Sequence, residues 1–306
     1  MADISAKEVQ ALREKTGVGM MDCKRALVEA NGDMDKAVTL LREKGLAAAA
    51  KKAGRIAAEG VVSIYNKNNT AVLVEVNAET DFVSKNDKFV DYANNVTELI
   101  ATKNPKDVAE LLTMKYPSSD LTVDQMLKEL ILVIGENMSI RRFVRVEGNV
   151  YTYNHGNGKI GVVVNIEADT EIAKTPDFAA FGKDLCMQIA AMNPIYLSKE
   201  SVPATEIENE KNILIAQIKN DPKTANKPEA VIEKMVAGRI NKFYEQNCLL
   251  EQAYFKEENM SVKQYIDESS KKFNGVKLLS YDRFEKGEGI AKKEDNFADE
   301  VASMTK

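Results

Sequence analysis

The sequence predicts an α+β protein: a short helical unit first, then one α+β unit written twice, the second copy interrupted by a helical insertion. Three observations carry this. Apolar residues in the first 45 positions recur at three- and four-residue spacing, then give way at Val61 to β-branched runs of strand character. The string Leu73-Val74-Glu75-Val76-Asn77-Ala78-Glu79-Thr80 matches Val163-Val164-Asn165-Ile166-Glu167-Ala168-Asp169-Thr170, and Phe89 matches Phe178. The strand that closes the first copy, 140–146, finds its counterpart only at 276–284, so 192–275 is an insertion.

In order along the chain, Ser5 with Glu8 forms a capping-box pattern that opens a helix carrying Val9 and Leu12. Gly17-Val18-Gly19 breaks it. Asp22 is placed to cap a second helix with Cys23, Ala26 and Leu27 inward. After Asn31-Gly32-Asp33, a third helix aligns Met34, Ala37, Val38 and Leu41, and Gly45 is expected to close it. Residues 46–55 read as an alanine-rich linker with helical tendency. Val61-Val62-Ser63-Ile64-Tyr65 and Ala71-Val72-Leu73-Val74-Glu75-Val76 form a hairpin candidate across Asn-rich turn residues. Phe89, Tyr92, Ala93, Val96, Leu99 and Ile100 mark an amphipathic helix, and Thr122 caps another that ends at Gly135. Within the insertion, two helical stretches at about 203–219 and 228–245 flank Asn220-Asp221-Pro222, and an antiparallel helical hairpin is the economical reading. The divisions are 1–54, 55–146, 147–286 with the hairpin at about 203–245, and a C-terminal helical module at 287–306.

Composition excludes several function classes. The 306 residues are 44% apolar with a net charge of −5. Residues 1–54 hold ten Lys and Arg against eight Asp and Glu, so neither part has the basic excess that phosphate-backbone binding requires. Direct nucleic-acid binding is not expected, and Arg141, Arg142 and Arg145 read as a solvated face. No apolar run approaches the ~20 residues that span a bilayer, and the N-terminus lacks a signal-peptide pattern. Three scattered cysteines fit reduced thiols and a cytoplasmic location.

No catalytic constellation emerges. Gly156-Asn157-Gly158-Lys159-Ile160-Gly161 has glycine-loop spacing, but a β-branched run follows where a helix is required, so it reads as a hairpin turn. No phosphate-cradling P-loop occurs. His155 is the single histidine, which excludes multi-histidine metal sites; at a hairpin turn it is either a surface contact or without a role. Cys23 reads as structural, and Met20-Met21 either packs against Leu12 or forms an adaptable binding surface. No cofactor and no resident metal are expected, and an interaction protein is a better reading than an enzyme built on Cys23 or His155.

Thr80-Asp81-Phe82-Val83 stands out because it joins a buried strand to a helix through a large aromatic. The default for such a residue is burial. The second copy carries Thr170-Glu171-Ile172-Ala173 instead, with Ile172 in the place of Phe82 and an acidic Glu171 beside it. The fold is therefore made without the aromatic, which turns the reading from core to probe.

Taken together, Thr16-Gly17-Val18-Gly19-Met20-Met21-Asp22-Cys23-Lys24, Thr80-Asp81-Phe82-Val83, Ile134-Gly135-Glu136-Asn137, Tyr153-Asn154-His155-Gly156, Gly238-Arg239 and Gly287-Glu288-Gly289-Ile290 resemble the bacterial elongation factor Ts family, end to end. The resemblance implies a guanine nucleotide exchange factor for elongation factor Tu, engaging its GDP-bound and nucleotide-free forms. It implies a ubiquitin-associated-like N-terminal domain, a duplicated core and a protruding helical hairpin. By similarity, Asp81 and Phe82, flanked by Thr80 and Val83, disturb the partner's Mg²⁺ and phosphate site. Arg13, Met20, Met21 and Lys24 would hold the other side of the guanine pocket, with Ile134, Gly135 and His155 as further contacts. A homodimer and a non-catalytic adaptor or holdase are the alternatives carried forward. The chain departs from the family at 252–257, where Gln-Ala-Tyr-Phe-Lys-Glu stands for a usual Gln-Pro-Phe-Val-Met, and at Asn226-Lys227-Pro228 for Gly-Lys-Pro.

Overall fold

The computed structural model describes residues 4–224 and 227–291. Three helices open the chain, α1 (Ala6–Thr16), α2 (Met20–Glu29) and α3 (Met34–Lys52). The Ser5 hydroxyl accepts from Glu8 N–H while the Glu8 carboxylate accepts from Ser5 N–H, and Gly17 ends α1 at φ +70°. Leu12, Cys23, Ala26, Leu27, Ala37 and Leu41 form a small core. Two expectations fail here. Gly19, not Asp22, is the N-cap of α2; Asp22 sits inside the first turn, where its carboxylate favours the helix dipole and takes the Arg25 guanidinium at 2.5 Å. Gly45 does not close α3, which runs on through the alanine run to Lys52. Alanine is the strongest helix former, and Gly45 lies close against the next domain's helix, where a Cβ would sit 3.5 Å from Leu132 and from the Lys128 carbonyl.

The first α+β unit comprises β1 (Glu59–Lys67), β2 (Thr70–Ala78), α4 (Asp81–Ser84), α5 (Asp87–Lys103), α6 (Val108–Thr113), α7 (Val123–Ile134) and β3 (Met138–Glu147). The second comprises β4 (Val150–His155), β5 (Ile160–Glu167), α8 (Thr170–Ala173) and α9 (Pro176–Met192), and is completed far downstream by β8 (Lys277–Glu285). Each forms a three-stranded antiparallel sheet, β1-β2-β3 and β4-β5-β8. The correspondence extends to irregularities. β2 bulges between Glu75 and Val76, and β5 between Asn165 and Ile166, the positions that the matched strings align. Gly60 and Gly148 both hold φ near +130°, at 132° and 135°. α5 and α9 both end on a left-handed asparagine, Asn104 and Asn193.

Period-two alternation decides the layers. Val72, Val74 and Val76 face α5 with Phe89, Val96 and Ile100, while Ala71 and Leu73 face the other way. Val162, Val164 and Ile166 face α9 with Phe178, Leu185 and Ile189, while Val163 faces back. The two sheets thus meet through Val62, Leu73, Val150, Val163 and Phe284.

The insertion holds α10 (Ala204–Asn220) and α11 (Glu229–Asn247), which bury Leu214 and Ile218 against Ile232, Val236 and Ile240. It also holds elements that the sequence reading lacked: a two-stranded ribbon, β6 (Ala253–Tyr254) with β7 (Glu257–Ser261), and α12 (Val262–Lys272), opened by a Ser261–Gln264 capping box. The divergent 252–257 segment is tied into this second core. Gln252 is buried between Gln188 and the carbonyls of Met192 and Gln246, and the Tyr254 hydroxyl donates to Asp184. Of the expected C-terminal helical module at 287–306, residues 287–291 form a turn and irregular chain rather than a helix, and the remainder lies outside the described residues.

Arg141 and Arg142 are not a solvated pair. Their guanidiniums bind the fully buried Glu75 carboxylate at 3.0 and 2.6 Å, and Arg145 pairs with Glu147. A buried strand carboxylate draws cations inward, because an unpaired charge there is costly. Burial pushes the Glu75 carboxyl up, but the Gly287 N–H, the Asn77 amide, Arg142 and Arg141 outweigh it, and its pKa lies below the usual 4.5. A depressed carboxyl contributes stability above its unfolded pKa and loses it as pH falls through the folded value. Glu75→Gln is therefore expected to cost about 1–3 kcal/mol at neutral pH, discounted for the one-third exposure of both arginines. Urea unfolding should show this deficit shrinking below about pH 4.5; a deficit independent of pH contradicts the assignment.

Candidate partner-binding site

Asp81 and Phe82 occupy a single helical turn, α4, whose entry and exit are both fastened. Glu136, just beyond α7, accepts from the Thr80 backbone N–H at 3.0 Å and from its hydroxyl at 2.7 Å. Glu79 accepts from Asn137 N–H at 2.5 Å. At the exit, Asn86 caps α5 through Lys88 N–H. Inside the turn, the Ser84 hydroxyl donates to the Asp81 carbonyl at 2.6 Å and Val83 is buried in the first core. Lys85 binds the Asp81 carboxylate at 2.8 Å. That hydrogen bond and charge, with a smaller contribution from Lys286, hold the Asp81 carboxyl below the usual carboxylate range. Phe82, between these anchored residues, is 82% exposed.

The second copy sharpens this contrast and corrects one alignment. α8 begins at Thr170 as α4 begins at Asp81, because the run from the bulge residue Ile166 to α8 is one residue shorter than that from Val76 to α4. By helix position Ile172 therefore stands where Val83 does, and both pack inward; Glu171, not Ile172, stands in the place of Phe82. The acidic match to Asp81 also lapses, since Thr170 takes its place. The outward position of the turn holds a charged residue in one copy and a phenylalanine in the other.

Two further expected contact residues, Ile134 and Gly135, lie beside this turn. Gly135 ends α7 in the left-handed conformation at φ +92°, exposed beside Glu136, and Ile134 is half-buried against the first core. The Thr80–Glu136 bonds thus bring the two strings together. Across a cleft of about 590 Å³, Asp81, Ser84 and Lys85 face Asn154, Gly156, Lys159 and Lys286. His155, between the cleft-lining Asn154 and Gly156 but not itself lining the cleft, is exposed at the β4–β5 turn, its Nδ1 3.1 Å from the Tyr153 hydroxyl. Arg13, Met20, Met21 and Lys24 are all exposed. Met20 and Met21, at 52% and 60%, do not pack on Leu12, because Gly19 starts α2 with its first two residues outward. The turn that precedes them abuts α5, where Lys88 Nζ lies 2.8 Å from the position a Gly17 Cβ would take.

The described residues contain no cluster of His, Cys, Asp and Glu able to hold a metal, and no helix long and apolar enough to cross a membrane. Burial pushes the Cys248 thiol up to about 11 and Cys186 higher still, the reverse of what a thiolate nucleophile needs. Glu79, Lys85, Glu136 and Lys286, which frame the site, escaped the sequence reading. Each acts through an exposed or partly buried polar contact that spacing does not reveal.

Adjacent residues of the turn are expected to respond oppositely to truncation. Val83→Ala should lower stability by about 1.5–3 kcal/mol, and Phe82→Ala should leave it within about 0.5 kcal/mol. Chemical denaturation of both variants checks this; a Phe82→Ala loss as large as that of Val83→Ala would place the ring in the core.

Residues 79–288 match the family model described as elongation factor TS. An elongation factor Ts from Clostridium perfringens (strain SM101 / Type A) is 50% identical over 307 residues, covering 98% of this chain and 99% of that protein. The elongation factor Ts of Clostridium botulinum (strain Eklund 17B / Type B) is 48% identical over the same share of each chain. That of Clostridium novyi (strain NT) is 48% identical and covers 97% of both. With this likeness running through the anchored turn, the cleft and both sheets, the chain belongs to the elongation factor Ts family of translation elongation factors.

Proposed function

We propose that the chain binds elongation factor Tu in its GDP-bound form and accelerates GDP release, with the α4 turn as the acting element. The observation that carries this is the exposure of Phe82 on a turn fastened at both ends. A rigid aromatic on a fixed backbone brings large contact area at little entropic cost. A nucleotide-binding partner holds GDP through backbone N–H groups at a helix N-terminus and through Mg²⁺ bridging phosphate oxygens. Inserting Phe82 beside that cradle, with Asp81 competing for groups that order the metal's water shell, weakens GDP without any covalent step. The factor is thus an exchange factor and not an enzyme. Linkage makes the effect reciprocal, so GDP or GTP weakens the factor's own grip equally.

The rest of the molecule serves as a set of holding contacts in this reading. The N-terminal helices, taken as a ubiquitin-associated-like domain at 1–54, present Arg13, Met20, Met21 and Lys24. The first core subdomain, 55–146, adds Ile134 and Gly135. The second, 147–286, adds His155 and projects α10 and α11 as an antiparallel hairpin. The cytoplasm, where translation runs, is the matching location.

Release of a fluorescent GDP analogue from elongation factor Tu, with this chain in catalytic amount, tests the proposal. The wild-type chain should accelerate release, and Phe82→Ala should lose about thirtyfold or more, as expected for an interface hot spot of about 2 kcal/mol. Tight binding without acceleration, sensitive to deletion of the α10–α11 pair and indifferent to Phe82, would replace this reading with that of a non-catalytic adaptor or holdase.

A further inference from the structure

Beyond β8 the chain leaves its own sheet and crosses onto the first one, and a single carboxylate organises the crossing. Glu75 of β2 accepts from Gly287 N–H at 2.7 Å, across 212 positions of sequence, while binding Arg141 and Arg142. The same two guanidiniums continue onto the crossing segment: Arg141 donates to the Glu288 carbonyl at 2.6 Å, and Arg142 to the Glu288 carboxylate at 3.1 Å. Gly287 is held at φ +70°, and a Cβ there would lie 2.0 Å from the Ala58 carbonyl oxygen, so only glycine permits the close approach. Its neighbour Lys286 donates its N–H to the Lys159 carbonyl at 3.0 Å and its ammonium to Glu59. Lys159 belongs to the β4–β5 turn that carries His155, and Lys286 lines the cleft opposite Asp81.

We propose that Glu75 is a positioning residue for partner binding: through Gly287 and Lys286 it fixes the spacing between the Asp81–Phe82 turn of one copy and the His155 turn of the other. The inference rests on the functional reading above. The apolar contact between the two sheets is non-directional and does not by itself set how they slide. Hydrogen bonds are directional and do set it: Val62 N–H donates to the Gly158 carbonyl at 2.8 Å and the Asn66 amide to Val150 and Thr152, and the buried Glu75 carboxylate adds the anchor at the far end, through Gly287 and Lys286. Two contacts on one rigid body engage a partner with high effective concentration, and they lose that advantage when the spacing is free to vary. Glu75 touches no partner group in this account; it acts only through the geometry of the turns.

The test is a pair of mutant cycles on the full chain, read as the concentration giving half-maximal acceleration of GDP release and, separately, as the maximal rate. In the wild-type background His155→Ala should raise the half-maximal concentration about fivefold. In the Glu75→Gln background, already weakened, it should add little, and the maximal rate carried by Phe82 should change least. Gly287→Ala, which removes no charge, should reproduce Glu75→Gln and add nothing to it, and it carries the cycle alone if Glu75→Gln does not fold. Hydrogen exchange should show faster exchange at Gly287 and Lys286 in both variants, with β2 and β5 still protected. Additivity of His155→Ala with either variant overturns the proposal, as does a silent His155→Ala, which would leave no second contact to space. A wild-type chain that fails to accelerate release overturns the functional reading itself, whereas normal acceleration with additive cycles overturns only this inference.

Discussion

Face-to-face packing of two three-stranded sheets is the constraint from which the rest follows. Val62, Leu73, Val150, Val163 and Phe284 are shut between them, and strands pleated with period two must then send their alternate side chains outward. Those outer faces are as apolar as the inner ones, so each sheet needs its own covering helix, α5 or α9. The covering helix must be reached from the end of β2 or β5 within a few residues. The α4 and α8 turns are that connection, which is why they sit at the rim of the molecule on a rigid base. A site placed there gains positional accuracy from the sheets without being buried by them.

The duplication singles out the proposed acting residue on physical grounds. Both turns direct one apolar residue inward, Val83 buried and Ile172 partly buried, as the connection requires. Both turn one residue outward, and water is the natural neighbour of Glu171 there. Phe82 gains nothing from the same exposure. A ring held in water by an anchored backbone makes physical sense when a partner supplies the missing apolar surface. The surrounding groups, Asp81 with Lys85 and Lys286 with Glu59, are polar pairs that keep the rim soluble while leaving the ring bare.

Much of this was legible before the structure. The capping box at Ser5, the helix cap at Thr122, the hairpin glycines at 156 and 158, the repeat from β2 to β5 and the distant return strand β8 all rest on local chemistry or simple periodicity. What was not legible depends on tertiary contact. Gly45 stays helical because α7 lies beside it. Arg141 and Arg142 turn inward because Glu75 is buried in the neighbouring strand. Ile172 falls opposite Phe82 only when the strand match is extended without a gap; the strings at 73 and 163 are offset by 90 positions but Phe89 and Phe178 by 89, the trace of a one-residue deletion between the β5 bulge and α9. Anchors such as Glu136 lie more than fifty positions from what they hold, at a separation that no local pattern encodes.

The proposed exchange requires Phe82 to contribute binding energy to the nucleotide-free partner that it does not contribute to the GDP-bound one. Calorimetric titration of this chain into elongation factor Tu with and without GDP measures that difference directly. The expected result is a large affinity ratio favouring the nucleotide-free form, and a collapse of that ratio toward unity for Phe82→Ala. A ratio unchanged by Phe82→Ala would contradict it.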